Sequence, residues 1–185
     1  MINLSVPILG PFGWPKLENE LIPLPSSTGV YLMAVAHKDG FLPYGVGITR
    51  RPMRKRFLEH TRSFTSGNYN ILDLDAACEG VRKIAWKGWG WTPEKRADYE
   101  ARKDTVVASA IRQLTATHIF IIELADLPRA LERLEAAIAN NYYSLEHTLV
   151  DRGMLLMPRR NIEESIMLSF QSQYVFYGLP SKLEI

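Results

Sequence analysis

Residues 29–48 read GVYLMAVAHKDGFLPYGVGI, and this stretch decides the class of fold that we expect. Its first eight residues are apolar or small and include valines and a tyrosine, which favours a β-strand. The dipeptide Asp39-Gly40 is typical of a tight hairpin turn. A second apolar run follows over 41–48, with Pro43 marking an irregularity near its start. The stretch therefore predicts a β-hairpin.

Side-chain alternation gives this hairpin two distinct faces. In the first strand it places Tyr31 and Met33 on one face and Val30 on the other. In the return strand Gly45 and Gly47 share a face, and two glycines there leave space for a backbone or ligand to approach closely. The Gly-x-Gly does not continue as a dinucleotide-binding Gly-x-Gly-x-x-Gly, and a hairpin is the wrong context for one.

The chain beyond the hairpin predicts an α/β fold with a small mixed sheet. Thr49 is a suitable N-cap for a helix over 52–64. Residues 117–124 are rich in β-branched and aromatic types and predict a third strand, and a proline opens a second core helix over 128–142. The order is hairpin, helix, insertion, third strand and helix, which excludes a doubly wound sheet.

The remaining segments are expected to surround this core. Residues 1–27 carry five prolines and are expected to form an extended lead-in without regular structure. Residues 65–116 are interpreted as a mainly helical insertion, with helices over 73–87 and 94–114. A short last helix is expected over 162–172. We expect all 185 residues to form a single domain.

The charge of the chain is nearly balanced but unevenly distributed. The 22 Lys and Arg residues exceed the 20 Asp and Glu residues by only two. Basic residues concentrate in the first half, and between residues 50 and 62 a single glutamate accompanies Arg50, Arg51, Arg54, Lys55, Arg56 and Arg62. Such a cluster suits a polyanion, although it also fits the solvated face of a helix.

Cysteine usage and hydropathy indicate the compartment. Cys78 is the only cysteine, which excludes an intrachain disulfide and indicates a reducing cytoplasm. No His or Cys spacing suggests a zinc site. The apolar stretches are far shorter than the roughly twenty residues of a membrane span, and the N-terminus does not resemble a signal peptide. We therefore expect a soluble, cytoplasmic protein with no membrane contact.

Two charged side chains lie at the margins of apolar helix faces. At 100° per residue, Arg56 and His60 fall together at the edge of the apolar face of the 52–64 helix. Arg56 would then reach into a cleft beside the core, or cover apolar surface with its stem. Glu135 occupies the same kind of position on the later helix, whereas Glu132 is more solvated. A carboxylate there needs a cation or a salt-bridge partner.

Five segments resemble the successive motifs of the GIY-YIG nuclease family. They are Gly29-Val30-Tyr31, Gly45-Val46-Gly47-Ile48-Thr49, Arg56-Phe57-Leu58-Glu59-His60, Leu134-Glu135-Ala136-Ala137-Ile138 and Pro158-Arg159-Arg160-Asn161. In that family a Gly-Ile-Tyr strand pairs with a Tyr-Ile-Gly strand. The next helix carries an essential arginine, often with a histidine one turn later.

The resemblance implies a role for each matching residue. Tyr31 would deprotonate or position the attacking water, and Arg56 would bind the scissile phosphate. His60 would assist the proton relay or hold the phosphate. Glu135 would be the protein ligand of a single Mg²⁺ or Mn²⁺, and Asn161 would brace the site or touch the nucleic-acid backbone. Hydrolysis of a phosphodiester requires these elements together.

The chain also departs from the family pattern, which it resembles over about residues 28–161. Gly45 stands where the family has its second tyrosine, and Tyr44 lies one position early. On a regular strand Tyr44 would face the wrong side, and only a bulge near Pro43 would restore it. We therefore expect Tyr31 to act alone, with Tyr44 as the second catalytic candidate.

These features predict an endonuclease that hydrolyses DNA, of a restriction, repair or mobile-element type. A catalytically weakened module that binds nucleic acid or a protein is the alternative. Phosphate contacts would come from Arg50, Arg51, Arg54, Lys55 and Arg62. The insertion adds Trp86, Trp89 and Trp91, which we expect to pack into the core, with stacking on bases as the alternative.

Overall fold

The computed structural model of the protein describes residues 2–124, 129–153, 159–160 and 163–185. It is a mixed α/β fold. Its elements in chain order are β1 (Ile2–Gly13), β2 (Ile22–Pro23), β3 (Gly29–His37), β4 (Gly40–Thr49), α1 (Met53–Thr65), β5 (Ile71–Leu72), α2 (Leu74–Cys78), β6 (Ile84–Trp86), α3 (Pro93–Thr115), β7 (His118–Ile122), α4 (Ala130–Ser144), β8 (Ile166–Gln171) and β9 (Lys182–Glu184).

The predicted hairpin lies at one edge of the main sheet. β3 and β4 pair antiparallel, and Lys38 and Asp39 form the two-residue turn between them. Lys38 adopts a left-handed φ of 50°, which the tight turns of hairpins require. The strand order is β4-β3-β7-β1-β8-β9, with β2 added beside β1. The hairpin, α1, α3, β7 and α4 confirm the predicted order of elements.

The two faces of this sheet support two hydrophobic clusters, as the alternation along β3 predicts. Tyr31 and Met33 pack on the face covered by α1 and α3, with Phe57 fully buried beneath them. Val30 packs on the opposite face, against Leu134 of α4.

In the described parts of the chain no helix is long and apolar enough to cross a membrane.

The prediction that residues 1–27 lack regular structure is wrong, because β1 is an inner strand of the sheet. Its residues up to Pro7 pair in parallel with β8, and from Ile8 onwards it pairs with β7. Pro7 thus lies where the strand changes partners, and Pro11 lies in the irregularity between Leu9 and Phe12. A proline is tolerated at such points because its missing N–H removes no ladder hydrogen bond.

Two predicted helices are also corrected. The helix expected over 73–87 is only the five-residue α2, because Gly80 follows its C-terminus with a left-handed φ of 84° and β6 begins soon after. Within the segment expected to form a last helix, Ile166–Gln171 is β8, whose pairing with β1 and β9 satisfies its backbone. Thr49 does not cap α1, since its hydroxyl bonds the backbone of Arg51 and Pro52 precedes the helix.

The segment 65–116 is not purely helical. It contains α2 and the long α3, which begins at a Thr92 cap and a proline in its first turn. Between them β5 and β6 form a separate two-stranded sheet. Ile71 and Trp86 pair across this small sheet and are both buried in the cluster beneath α1. The segment therefore completes the core on that face.

Neighbouring side chains occupy the space beside Gly45 and Gly47 of β4. A Cβ on Gly47 would lie 2.3 Å from the Tyr31 hydroxyl, and a Cβ on Gly45 would lie 2.4 Å from the terminal methyl of Met33. We expect Gly47→Ala to cost about 1–3 kcal/mol, because the Tyr31 ring is rigid and overpacking forces it aside. Gly45→Ala is the matched control and should cost less than about 1 kcal/mol, since the end of Met33 can rotate away. Denaturant unfolding of both variants measures the difference, and equal losses would contradict this account.

Candidate active site

One cavity collects every catalytic candidate that the sequence suggests. Tyr31, Tyr44, Arg56, His60 and Glu135 all line a cavity of about 360 Å³. Four of them come from the consecutive elements β3, β4 and α1, and Glu135 comes from α4, about 75 residues further along the chain. Residues of both faces of β4 border this space, which places the cavity along the free edge of the sheet.

Tyr31 and His60 form the buried centre of the site. The Tyr31 hydroxyl and His60 Nε2 are 2.7 Å apart, and the exposed fractions of the two residues are 2% and 5%. Burial raises the pKa of Tyr31 above its usual value of 10, although the nearby Arg56 guanidinium opposes that rise. The phenol is therefore protonated near neutral pH and can donate to the imidazole.

His60 is neutral in the folded protein. Burial, reinforced by the positive charge of Arg56, lowers the pKa of His60 from 6.5 to about 4. Its Nδ1 is buried and has no hydrogen-bond partner among the described residues. A neutral imidazole that accepts from a phenol can take up the phenolic proton when the phenol oxygen gains one from elsewhere. Tyr31 and His60 therefore have the geometry that a two-residue proton relay requires.

Arg56 gives the cavity a positive charge that is poorly neutralised. Its side chain is 33% exposed, and its ion pair with Glu59 is long, at 3.6 Å. Glu59 instead accepts two hydrogen bonds from Arg51, at 2.8 and 2.9 Å. The Nε of Arg56 is buried without a partner among the described residues. A guanidinium in this situation can bind an anion in the cavity.

Glu135 contributes a negative charge to the same space. Burial, with a smaller effect of Glu132, raises the pKa of Glu135 above 4.5, while Arg56 acts in the opposite direction. Within the described residues its carboxylate has no hydrogen-bond partner. Among the described residues, no group of three His, Cys, Asp or Glu side chains lies close enough together to hold a metal ion. The donor set fits an Mg²⁺ or Mn²⁺ held by one carboxylate, with water and phosphate oxygens as its other ligands.

Tyr44 enters the cavity through a β-bulge. Met33 pairs with Gly45 and Ala34 pairs with Pro43, so Tyr44 is the extra residue of β4. Its hydroxyl does not bond Arg56 but lies 2.8 Å from Thr117 Oγ1. Burial raises the pKa of Tyr44 to about 12. The structure thus contains the bulge that the altered second motif would need to bring Tyr44 to the correct side of the strand. The Tyr44 hydroxyl, however, is bonded to Thr117, the residue just before β7.

The basic residues of α1 and of the turn before it differ in whether they form ion pairs. Arg50 pairs with Glu132 at 2.6 Å, and Arg51 is held by Glu59. The exposed residues without an ion pair among the described acidic side chains are Arg54, Lys55 and Arg62. Asn161 and Pro158, the ends of the last family motif, lie outside the described residues.

Tyr69 was not among the predicted site residues, and the expected packing of the tryptophans into the core is wrong for Trp89 and Trp91. Tyr69 lines the cavity, and its ring lies 5.8 Å from that of His60. Trp86 is buried and donates to the Gly67 carbonyl, as the core interpretation expects. Trp89 is 62% exposed and also lines the cavity, and Trp91 is 37% exposed. Only the density of aromatic residues over 86–91 hinted at this arrangement.

The low pKa of His60 makes the stability of the fold depend on pH. Between pH 6.5 and about 4 the unfolded chain protonates this histidine and the folded protein does not. The free energy of unfolding should therefore decline as pH falls through this window. In His60→Gln the decline should be shallower, and in the control His147→Gln, which alters an exposed histidine, it should match the wild type. Denaturant titrations at several pH values measure the slopes, and identical slopes in all three proteins would refute the assignment.

No family model, curated protein or solved structure matches this chain.

Proposed function

We propose that the protein is a metal-dependent endonuclease that hydrolyses DNA phosphodiester bonds. One observation carries the proposal: a neutral phenol–imidazole pair, a guanidinium and a half-buried carboxylate meet in one cavity. A module that only binds a polyanion has no use for the carboxylate, because it repels phosphate. The resemblance to the GIY-YIG nuclease family supports the proposal, since it assigns roles to Tyr31, Arg56, His60 and Glu135.

The relay of Tyr31 and His60 would activate the attacking water. The water gives a proton to the Tyr31 oxygen while Tyr31 passes its own proton to His60 Nε2. A bond forms between the water oxygen and phosphorus, and the bond from phosphorus to the leaving oxygen breaks. The leaving oxygen takes a proton from solvent, and His60 returns its proton through Tyr31, which releases one to solvent and restores the neutral pair. With a folded pKa of about 4, His60 is unprotonated at neutral pH but is a weak base, so it would take up the proton only as the bond from water to phosphorus forms.

Arg56 would hold the scissile phosphate. Its guanidinium can donate to the non-bridging oxygens, and it gains most at the transition state, when negative charge on them is greatest. Glu135 would hold Mg²⁺ or Mn²⁺, which when bound supplies positive charge to the phosphate oxygens. Glu135 and Arg56 line the same cavity without a direct ion pair between them, which leaves each available to its own ligand.

The wider contact with DNA would come from exposed cations. Arg54, Lys55 and Arg62 are free to contact phosphates, whereas Arg50 and Arg51 would first have to leave Glu132 and Glu59. Association of this kind weakens steeply with salt. A restriction, repair or mobile-element role in the cytoplasm remains part of the proposal.

A binding module is the second candidate, and the altered second motif favours it. Gly45 replaces a tyrosine that the family uses, and the hydroxyl of Tyr44 is committed to Thr117. In this alternative Tyr31 and His60 would be a structural pair, and no cleavage would occur.

The metal role is tested by exchanging one carboxylate at a time. We expect Glu135→Gln to reduce Mg²⁺- or Mn²⁺-dependent plasmid cleavage by at least about 100-fold, because the cation loses its protein ligand. Glu132→Gln is the matched control on the same helix and should stay within a few-fold of the wild type. Circular dichroism monitors the fold of both. Loss of cleavage in Glu132→Gln alone would place the metal elsewhere.

Arg56 separates the enzyme from the binding module. We expect Arg56→Ala to lower single-turnover cleavage by about 10²–10³-fold while DNA affinity changes only a few-fold. Arg54→Ala is the control, since Arg54 lies beside a different cavity near Trp14. It should weaken binding slightly and leave the rate of cleavage at saturating protein unchanged. Equal effects of the two variants, confined to binding, would favour the module.

A further inference from the structure

Trp89 lies exposed where the site cavity meets a second groove. The side chain borders both the cavity of Tyr31 and Arg56 and an adjoining groove of about 1030 Å³. The two spaces also share Asn70 and Asp151 in their linings. A DNA strand that runs from the site cavity into the groove would therefore pass Trp89.

The indole is supported from one side by another aromatic ring. Its centroid lies 4.9 Å from that of Tyr69, with 34° between the ring planes. Tyr69 is in turn packed edge-on against Phe64, at 5.2 Å, in the core beneath α1. Trp89 nevertheless remains 62% exposed, so most of its surface is open to a further planar group.

The loop that carries Trp89 is held in place at a conformational cost. Trp89 has a φ of 51°, which is unfavourable for a bulky side chain. Its N–H donates to the Asn68 carbonyl at 2.9 Å, and its carbonyl accepts from Lys95 Nζ at 2.6 Å. The preceding Gly88 N–H donates to Asn70 Oδ1 at 2.8 Å. Because 62% of the Trp89 surface stays exposed, burial in the core recovers little of this cost, and a ligand that covers the ring would account for it.

The charge of the groove points to stacking as the means of recognition. Its lining includes three cations, Lys38, Arg82 and Arg152, and three carboxylates, Glu79, Glu146 and Asp151. Arg82 and Asp151 form an ion pair with each other. With no net charge, this lining offers little attraction to phosphates, and the aromatic surface of Trp89 is the feature that a nucleotide can use.

We propose that Trp89, backed by Tyr69, stacks on the base of an unpaired nucleotide next to the phosphate bound in the site cavity. The preferred DNA would then be single-stranded at this point. A base inside a duplex is covered by neighbours on both faces, whereas an unpaired base can offer one face to an indole. This inference rests on the proposed function, because it takes the cavity to be the phosphate site.

Binding of end-labelled DNA tests the stacking role without cleavage. The probes are a single strand of mixed sequence and the duplex of that sequence, with fluorescence anisotropy recorded in EDTA. Trp89→Ala should weaken single-strand binding by about 5- to 150-fold and duplex binding by less than 3-fold. Trp89→Phe should recover most of the loss. Trp91→Ala is the matched control, because Trp91 packs on Tyr99 and does not line the site cavity.

An abasic scan of the single strand separates stacking from a change of loop structure. At one position the abasic site should weaken wild-type binding as much as Trp89→Ala does, and in Trp89→Ala it should cause no further loss. If the loss caused by the abasic site adds to the loss caused by Trp89→Ala at every position, the stacking role is overturned. Unchanged single-strand binding in Trp89→Ala, with Arg56 still needed for cleavage, would overturn this inference alone. Failure of the wild type to bind either probe would overturn the proposed function as well.

Discussion

The hydrogen bond between Tyr31 and His60 is the contact on which the site depends. It joins β3 to α1 across a buried interface, and the Tyr31 ring can lie there only because Gly47 on the neighbouring strand has no side chain. The ring of Phe57 packs against both partners, at 5.0 Å from Tyr31 and 5.5 Å from His60. The pair is therefore part of the core and of the cavity wall at once, so its geometry is fixed before any ligand arrives.

Burial of this pair also sets the electrostatics around it. Removing the phenol and the imidazole from water keeps both neutral. The nearby charges are those of Arg56, Glu59 and Glu135. Arg56 offsets part of the effect of burial on the pKa of Glu135, and neither side chain forms a short ion pair with its own helix. A guanidinium and a carboxylate without short ion pairs are available to an anion and a cation.

Sheet topology explains how α4 can contribute to a cavity on the other side of the hairpin. Its apolar residues, including Leu134 and Ile138, cover the face opposite to α1. Because β4 is the outermost strand of the sheet that the described residues form, none of its other strands separates the two faces at this edge. Glu135, next to Leu134 in sequence, therefore lines the same cavity as Arg56. If another strand were paired with the outer edge of β4, it would separate Glu135 from Arg56.

The amino-acid sequence by itself determined the local elements around the site. Periodicity and turn residues were enough for the hairpin, for α1, α3, β7 and α4, and for the positions of Arg56 and Glu135 at the margins of their apolar faces. These signals are local, since they depend on neighbours within one or two turns.

Tertiary structure alone decided the features that depend on distant partners. β1 is a strand despite Pro7 and Pro11, because β7 and β8 supply its hydrogen bonds where the prolines do not interrupt them. The bulge at Tyr44 is local to the hairpin, where Pro43 marks it in the sequence. The meeting of Glu135 with Arg56 in one cavity and the exposure of Trp89 follow instead from packing between elements far apart in the sequence. A single sequence carries no local signal for such contacts, because the free energy that selects them is gained only when the whole sheet and its helices assemble.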